Sequence, residues 1–106
     1  MIIKFVKYKS IIGKAVELTS ERIRHISQGH PDIIGHLPKI KQVLLMPDEI
    51  RLDNQDSEVL LFYKFFSKIG DGKYLVIVVK ANARNFVLTF FSTYRIKSGE
   101  KYEIEK

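Results

Sequence analysis

The sequence predicts an α+β domain with N-terminal helices packed on a roughly four-stranded antiparallel sheet. Three observations predict it. Residues 19–45 carry helix caps, apolar residues at helical spacing and terminating prolines. Residues 49–94 switch to short runs rich in Val, Leu, Phe and Tyr. Brief Gly-, Asn- and Asp-containing turns join those runs, and short links impose antiparallel pairing. The 106 residues form a single domain, 1–106, with a polar tail from about 97.

The elements follow in order. Ile2 to Tyr8 alternates apolar and basic residues as a strand, Lys9 to Gly13 turns it, and Lys14 to Leu18 returns. Thr19 or Ser20 caps a helix with Glu21 in its first turn and Ile23 and Ile26 on its buried side. Gly29 stops that helix, and Pro31 forbids continuation past His30. A second helix runs from Pro38 to Leu45, with Leu37, Ile40 and Leu44 on one stripe beside Val43, and Pro47 closes it. Glu49 to Asp53 is a strand, and Asp53 to Asp56 turns into a longer one, Glu58 to Ser67. Ile69-Gly70-Asp71-Gly72 makes a hairpin to Lys73–Ala81, whose Val76 to Val79 are expected to be buried on both faces. Asn82 to Asn85 turns into the last core strand, Phe86 to Tyr94. Lys97 to Glu100 is a turn, and Lys101 to Lys106 a tail.

Composition excludes several classes of function. With no cysteine, a disulfide scaffold, a thiolate zinc site, an iron–sulfur cluster and a cysteine nucleophile are all impossible. Hydrophobic residues at 45% and charged residues at 28% suit a globular domain, not a disordered one. The apolar runs are strand-sized, so no membrane association is expected, and a cytoplasmic location is. Eighteen Lys and Arg against twelve Asp and Glu give a net charge of +6. That excess favours a polyanion: RNA, DNA or an acidic protein.

Neither G-x-x-x-x-G-K-[ST] nor G-x-G-x-x-G occurs, which argues against nucleotide-triphosphate and dinucleotide sites. The histidines are His25, His30 and His36. On one helix His25 and His30 would lie about 140° apart, a poor chelating geometry, and no metal site or other cofactor is expected. His25, near the end of its helix, is better placed for proton transfer. Alternation sorts the strands into faces. Leu61, Tyr63 and Phe65 oppose Leu60, Phe62, Lys64 and Phe66. Val87, Thr89, Phe91 and Thr93 oppose Phe86, Leu88, Phe90, Ser92 and Tyr94. Arg51 points away from Ile50 and Leu52. The strand aromatics are core by default, but interleaving with Lys64, Lys73 and Lys80 leaves RNA stacking open.

Several stretches together resemble the barnase–EndoU–colicin–RelE superfamily, in its phage- and mobile-element-associated branch. They are Glu17-Leu-Thr-Ser-Glu-Arg-Ile-Arg-His25-Ile-x-x-x-His30-Pro31, Met46-Pro47-Asp48-Glu49-Ile50-Arg51, Tyr63-Lys64, the valine-rich Lys73–Lys80 run, and Phe86-Val-Leu-Thr89-Phe-Phe-Ser-Thr-Tyr94. The resemblance implies a RelE/barnase-like fold and a metal-independent endoribonuclease, a toxin of a toxin–antitoxin or phage-related system. It implies catalytic roles for His25, Arg51, Lys64 and Thr89, with Ser92 or Tyr94; separately, Arg22, His30, Lys73 and Lys80 are the expected nucleic-acid contacts. In that chemistry His25 is the acid or base, Arg51 and Lys64 stabilise phosphate charge, and Thr89 and Tyr94 orient the phosphate or base. RNA is the expected partner, with an acidic antitoxin or immunity protein beside it. Two other readings stay open: an inactive nucleic-acid-binding module of the same fold, and an interaction domain that docks an acidic partner along a sheet edge. The nuclease reading expects His25 and the sheet cations to meet in one cleft.

Overall fold

A computed structural model describes residues 5–96 and 99–102. Its order is β1 (Phe5–Lys9), β2 (Ala15–Thr19), α1 (Ser20–Gly29), a 3-10 helix (Pro31–Lys39), α2 (Ile40–Leu45), β3 (Glu49–Leu52), β4 (Val59–Phe66), β5 (Lys73–Ala81) and β6 (Asn85–Thr93). The α+β class holds, but the sheet has six strands in the order β1-β2-β6-β5-β4-β3. The expectation of helices followed by a four-stranded antiparallel sheet is corrected by the N-terminal hairpin. β1 and β2 pair antiparallel, and β2 joins the last strand in parallel through Glu17 and Phe86. A parallel contact between segments so far apart in the chain leaves no local trace in sequence. Ile2 to Lys4 of the expected first strand lie outside the described residues.

Local chemistry sets the helix ends. Thr19 caps α1, its Oγ1 accepting from the Arg22 backbone N–H at 3.1 Å. At the other end the His30 N–H donates to the Ile26 carbonyl at 2.8 Å before Pro31 interrupts the pattern. The second helix is shorter than expected. Residues 31–39 wind as a 3-10 helix and only Ile40–Leu45 is α-helical. Pro38 has no N–H to give an α-helical bond and restricts Leu37, and Gly35 adds a poor helix former. The predicted stripe nevertheless packs inward: Ile40, Val43 and Leu44 are fully buried.

The core lies between these helices and one face of the sheet. Val16, Leu18, Ile26, Ile33, Phe62, Leu75, Ile77 and Phe90 fill it. Cross-strand partners share a face, so the pairs Phe62–Ile77 and Ile77–Phe90 fix the helix side, and Tyr63–Val76 and Val76–Phe91 fix the other. In β5 Val76, Ile77 and Val79 are buried and Val78 is half-buried. One alternation is corrected. The β5–β6 register shifts at Val78/Val79, pairing Thr89 with Val78 and Val87 with Val79. Leu88 is the extra residue of this bulge, and Val87 turns to the core side with Phe90 instead of siding with Thr89.

In the β4–β5 hairpin the positive φ values fall on Gly70 (+56°) and Gly72 (+106°), not on Asp71. The tail is only partly free. The Leu52 N–H donates to Glu100 O and the Tyr102 N–H to Ile50 O, each at 2.8 Å, so residues 99–102 run beside β3. Lys97, Ser98 and residues 103–106 lie outside the described residues.

Candidate functional site

A groove opens where β2 hands over to α1 and the β5–β6 turn comes alongside. The parallel contact between Glu17 and Phe86 creates this junction. Its central lobe, about 620 Å³, is lined by Glu17, Thr19, Arg22, Asn82, Ala83, Arg84, Phe86 and Val87. Thr19 and Arg22 continue into a smaller lobe of about 230 Å³ with Glu21 and His25. Glu17, Ala83 and Arg84 continue into another of about 560 Å³ with Lys7, Lys14, Ala15 and Asn85. Asn82 shapes the turn, its Oδ1 accepting from the Arg84 backbone N–H at 3.1 Å.

The centre of the groove is a two-point ion pair. Arg84 Nη2 donates to Glu17 Oε1 at 2.8 Å, and Nε donates to Oε2 at 3.0 Å. The Glu17 side chain is 11% exposed and that of Arg84 is 74% exposed. Hydrogen bonding from Arg84 holds the Glu17 carboxyl below the usual glutamate range, against the opposing pull of burial and with help from the charges of Arg84 and Lys7. The same contact raises the Arg84 pKa. Glu17 is therefore a fixed anion that orients Arg84, while the other guanidinium hydrogens stay at the exposed surface. Arg22 has no carboxylate within ion-pair distance among the described residues. His25, 61% exposed, stands one helical turn from Glu21, with Nε2 3.8 Å from Oε1. Asn85 Oδ1 is buried without a hydrogen-bond partner among the described residues.

Of the expected residues, His25 and Arg22 line the groove and none of the others does. β3 is three places from β6 in the sheet, about 14 Å at about 4.8 Å per strand. There Arg51 gives Nε to Glu49 Oε2 and Nη1 to the Gly99 carbonyl, both at 2.7 Å. Lys64 faces the helix side, and its Nζ donates to the Met46 carbonyl at 2.8 Å, beside Asp48 at 3.8 Å. These cations tie the edge of the sheet to neighbouring loops. The expected single cleft uniting His25 with Arg51 and Lys64 is not formed. Thr89 is half-buried on the face opposite the helices, and Ser92 pairs with Leu75 on the helix face. Tyr94 is exposed past β6, with Lys73 Nζ 4.6 Å from its ring centroid. Lys80 is held by Asp56 and Glu58. His30 leaves α1 towards β6, its ring centroid 6.3 Å from that of Phe91.

Glu17, Asn82, Arg84 and Phe86 were not among the expected site residues. Glu17 did carry a signal: it is a lone carboxylate between Val16 and Leu18, and an acid in an apolar strand requires a partner. Nothing local in the sequence pairs it with Arg84. Among the described residues no three His, Asp or Glu side chains are grouped to hold a metal ion, and no helix is long and apolar enough to cross a membrane.

On this α+β domain an imidazole, two arginines and a carboxylate line adjoining pockets. Residues 4–106 match the phage-Barnase-EndoU-ColicinE5/D-RelE like nuclease2 family, and the chain belongs to that family. It is thus a phage-associated, nuclease-like domain. No curated protein and no solved structure matches it.

Proposed function

We propose that the chain is a metal-independent endoribonuclease working in the Glu17–Arg84–Arg22–His25 groove. The observation that carries this reading is that the groove's cations and its imidazole line neighbouring pockets with residues in common. Cations that can meet a phosphate and an imidazole that can move a proton line adjoining lobes that share Thr19 and Arg22. His25 takes the proton of a ribose 2′-hydroxyl. The 2′-oxygen bonds to phosphorus, the bond from phosphorus to the 5′-oxygen breaks, and water protonates the leaving oxygen. The product is a 2′,3′-cyclic phosphate. Arg22 and Arg84 stabilise the charge that builds on the phosphate oxygens, and Glu17 sets the plane of the Arg84 guanidinium. Lys7 and Lys14 extend the cationic surface along the strand that would be cut. His30 and Lys73 are auxiliary backbone contacts in this reading, whereas Lys80 is engaged by Asp56 and Glu58 and takes no part. Thr89, Ser92 and Tyr94 lie outside the groove and take no step.

The basic excess fits a toxin neutralised by an acidic antitoxin or immunity protein, acting in the cytoplasm. The test is incubation of the purified chain with a defined RNA in EDTA, with product ends analysed. Cyclic-phosphate ends from the wild type, and a rate lower by about 10²–10⁴ for His25→Ala, are expected. Salt-sensitive RNA binding with no product would point to an inactive binding module instead.

A further inference from the structure

The sheet has two edges, and the chain treats them differently. At β3, residues 99–102 run alongside as an added segment, held by hydrogen bonds of 2.8 Å from the Leu52 N–H to the Glu100 carbonyl and from the Tyr102 N–H to the Ile50 carbonyl. Tyr102 packs against the core, while the Lys101 ammonium lies 3.9 Å from the Glu49 carboxylate. The added segment thus alternates, with an apolar side chain towards the helices and, on the open face, a charge opposite to that of Glu49. β1 is the other edge. It pairs with β2 from Phe5–Thr19 to Lys9–Ala15, and among the described residues no backbone group pairs with its outer side. The alternate N–H and C=O groups along that side are a template for another strand. The last strand, β6, lies between β2 and β5 and offers no edge.

The side chains of β1 specify what fits. Val6 and Tyr8 pair with Leu18 and Val16 on the helix side, and Lys7 and Lys9 pair with Glu17 and Ala15 on the open side. Val6 is 50% exposed although Leu18 across from it is buried. The first twenty residues hold four lysines against one acidic residue, Glu17. A second copy of this chain does not fit, because an antiparallel β1–β1 contact centred on Lys7 sets Lys7 against Lys7. A nucleic acid would meet the lysines but leave the row of carbonyls and Val6 without partners. We infer that β1 takes up an extended acidic segment of a protein partner, which adds as a seventh strand with apolar side chains beside Val6 and Tyr8 and carboxylates beside Lys7 and Lys9. The inference is independent of the nuclease reading, since strand addition needs no turnover and Val6 and Lys9 lie outside the groove.

The experiment is an NMR titration of the ¹⁵N-labelled chain with an acetylated and amidated peptide of about eight residues that alternates valine and glutamate. Two control peptides have the same composition. One holds the valines and glutamates in separate blocks, and the other alternates them but is N-methylated throughout. The alternating peptide should move the Val6 to Lys9 amides and slow their hydrogen exchange, and both controls should bind at least about tenfold more weakly. Lys9→Glu should weaken the alternating peptide by about fivefold and strengthen one that alternates valine and lysine. Equal binding of the block or the N-methylated peptide would reduce the edge to a patch of charge and overturn strand addition. Amides of β1 that the alternating peptide does not move would overturn it too. An RNA oligonucleotide that displaces the peptide and moves the same amides would give the edge to nucleic acid instead. A dimer of the free chain in sedimentation, with those amides already protected, would give it to a second copy.

Discussion

Glu17 on β2 and Arg84 in the β5–β6 turn stand 67 positions apart in the chain and meet through two hydrogen bonds of 2.8 and 3.0 Å. This contact closes the one parallel seam of the described sheet at its weakest point, where β2 and β6 share a single registered pair. It also presents a guanidinium to solvent with its orientation fixed. The sheet seam and the candidate chemistry therefore meet at the same two side chains.

Acid should reveal the pair. The Glu17 carboxyl is held low in the folded chain, so its contribution is present above the unfolded glutamate pKa of about 4.3 and is lost as pH falls through the lower folded value. Asp56, held low by its hydrogen bond from Lys80, acts in the same direction. Urea midpoints of the wild type should fall between about pH 5 and pH 3. Glu17→Gln should have a shallower acid limb, and Glu17→Gln with Asp56→Asn a shallower one still. Parallel acid limbs in all three proteins would show that neither carboxylate is linked to folding.

Thr19→Ala removes the α1 cap, leaving the Arg22 N–H without its acceptor. The expected cost is about 1 kcal/mol in denaturant unfolding, with Thr19→Ser close to wild type. Because Arg22 and His25 sit on the first two turns, the alanine variant should also bind RNA less tightly at the same salt concentration.

The β4–β5 hairpin distinguishes two glycines. A Cβ at Gly72, where φ is +106°, would lie 2.8 Å from Phe65 Cζ. At Gly70 it would meet only the flexible Lys73 side chain, at 3.4 Å. Gly72→Ala should cost about 1–3 kcal/mol and Gly70→Ala less, measured by urea unfolding. Adding Phe65→Ala to Gly72→Ala should return part of the loss by removing the ring that is struck.

Much of this fold is legible in local sequence. The Thr19 cap, the Gly29–Pro31 stop, the 53–56 turn and the Lys73–Ala81 strand all depend on neighbours a few residues away. The 3-10 segment was hidden because Pro38 suits the first turn of an α-helix as well as a tighter winding. The site was less legible for a different reason. His25 and Arg22 share one helix, so their proximity follows from helical geometry. Arg51 and Lys64 are strand cations whose neighbours depend on strand order, and β3 proves to be the far edge. Glu17 and Arg84 meet only because the first hairpin docks on the last strand, an arrangement with no local pattern.

Arg51 and Lys64 should accordingly behave as structural residues. Each gives hydrogen bonds to a main-chain carbonyl, Gly99 and Met46 respectively. Arg51→Ala and Lys64→Met should lower the unfolding midpoint by amounts equivalent to about 1–2 kcal/mol, with RNA affinity at low temperature retained. Full stability with lost affinity would restore the expected role of these residues in meeting phosphate.

The most direct measurement is the initial rate of cleavage of one RNA oligonucleotide in EDTA by the wild type, Arg22→Ala, Arg84→Ala and Arg51→Ala, each confirmed folded. Substitution of either groove arginine should reduce the rate by about 10²–10³, and Arg51→Ala should stay within about threefold of wild type. A wild type that does not cut, or an Arg51→Ala that is inactive beside fully active Arg22→Ala and Arg84→Ala, would contradict the placement of the chemistry in this groove.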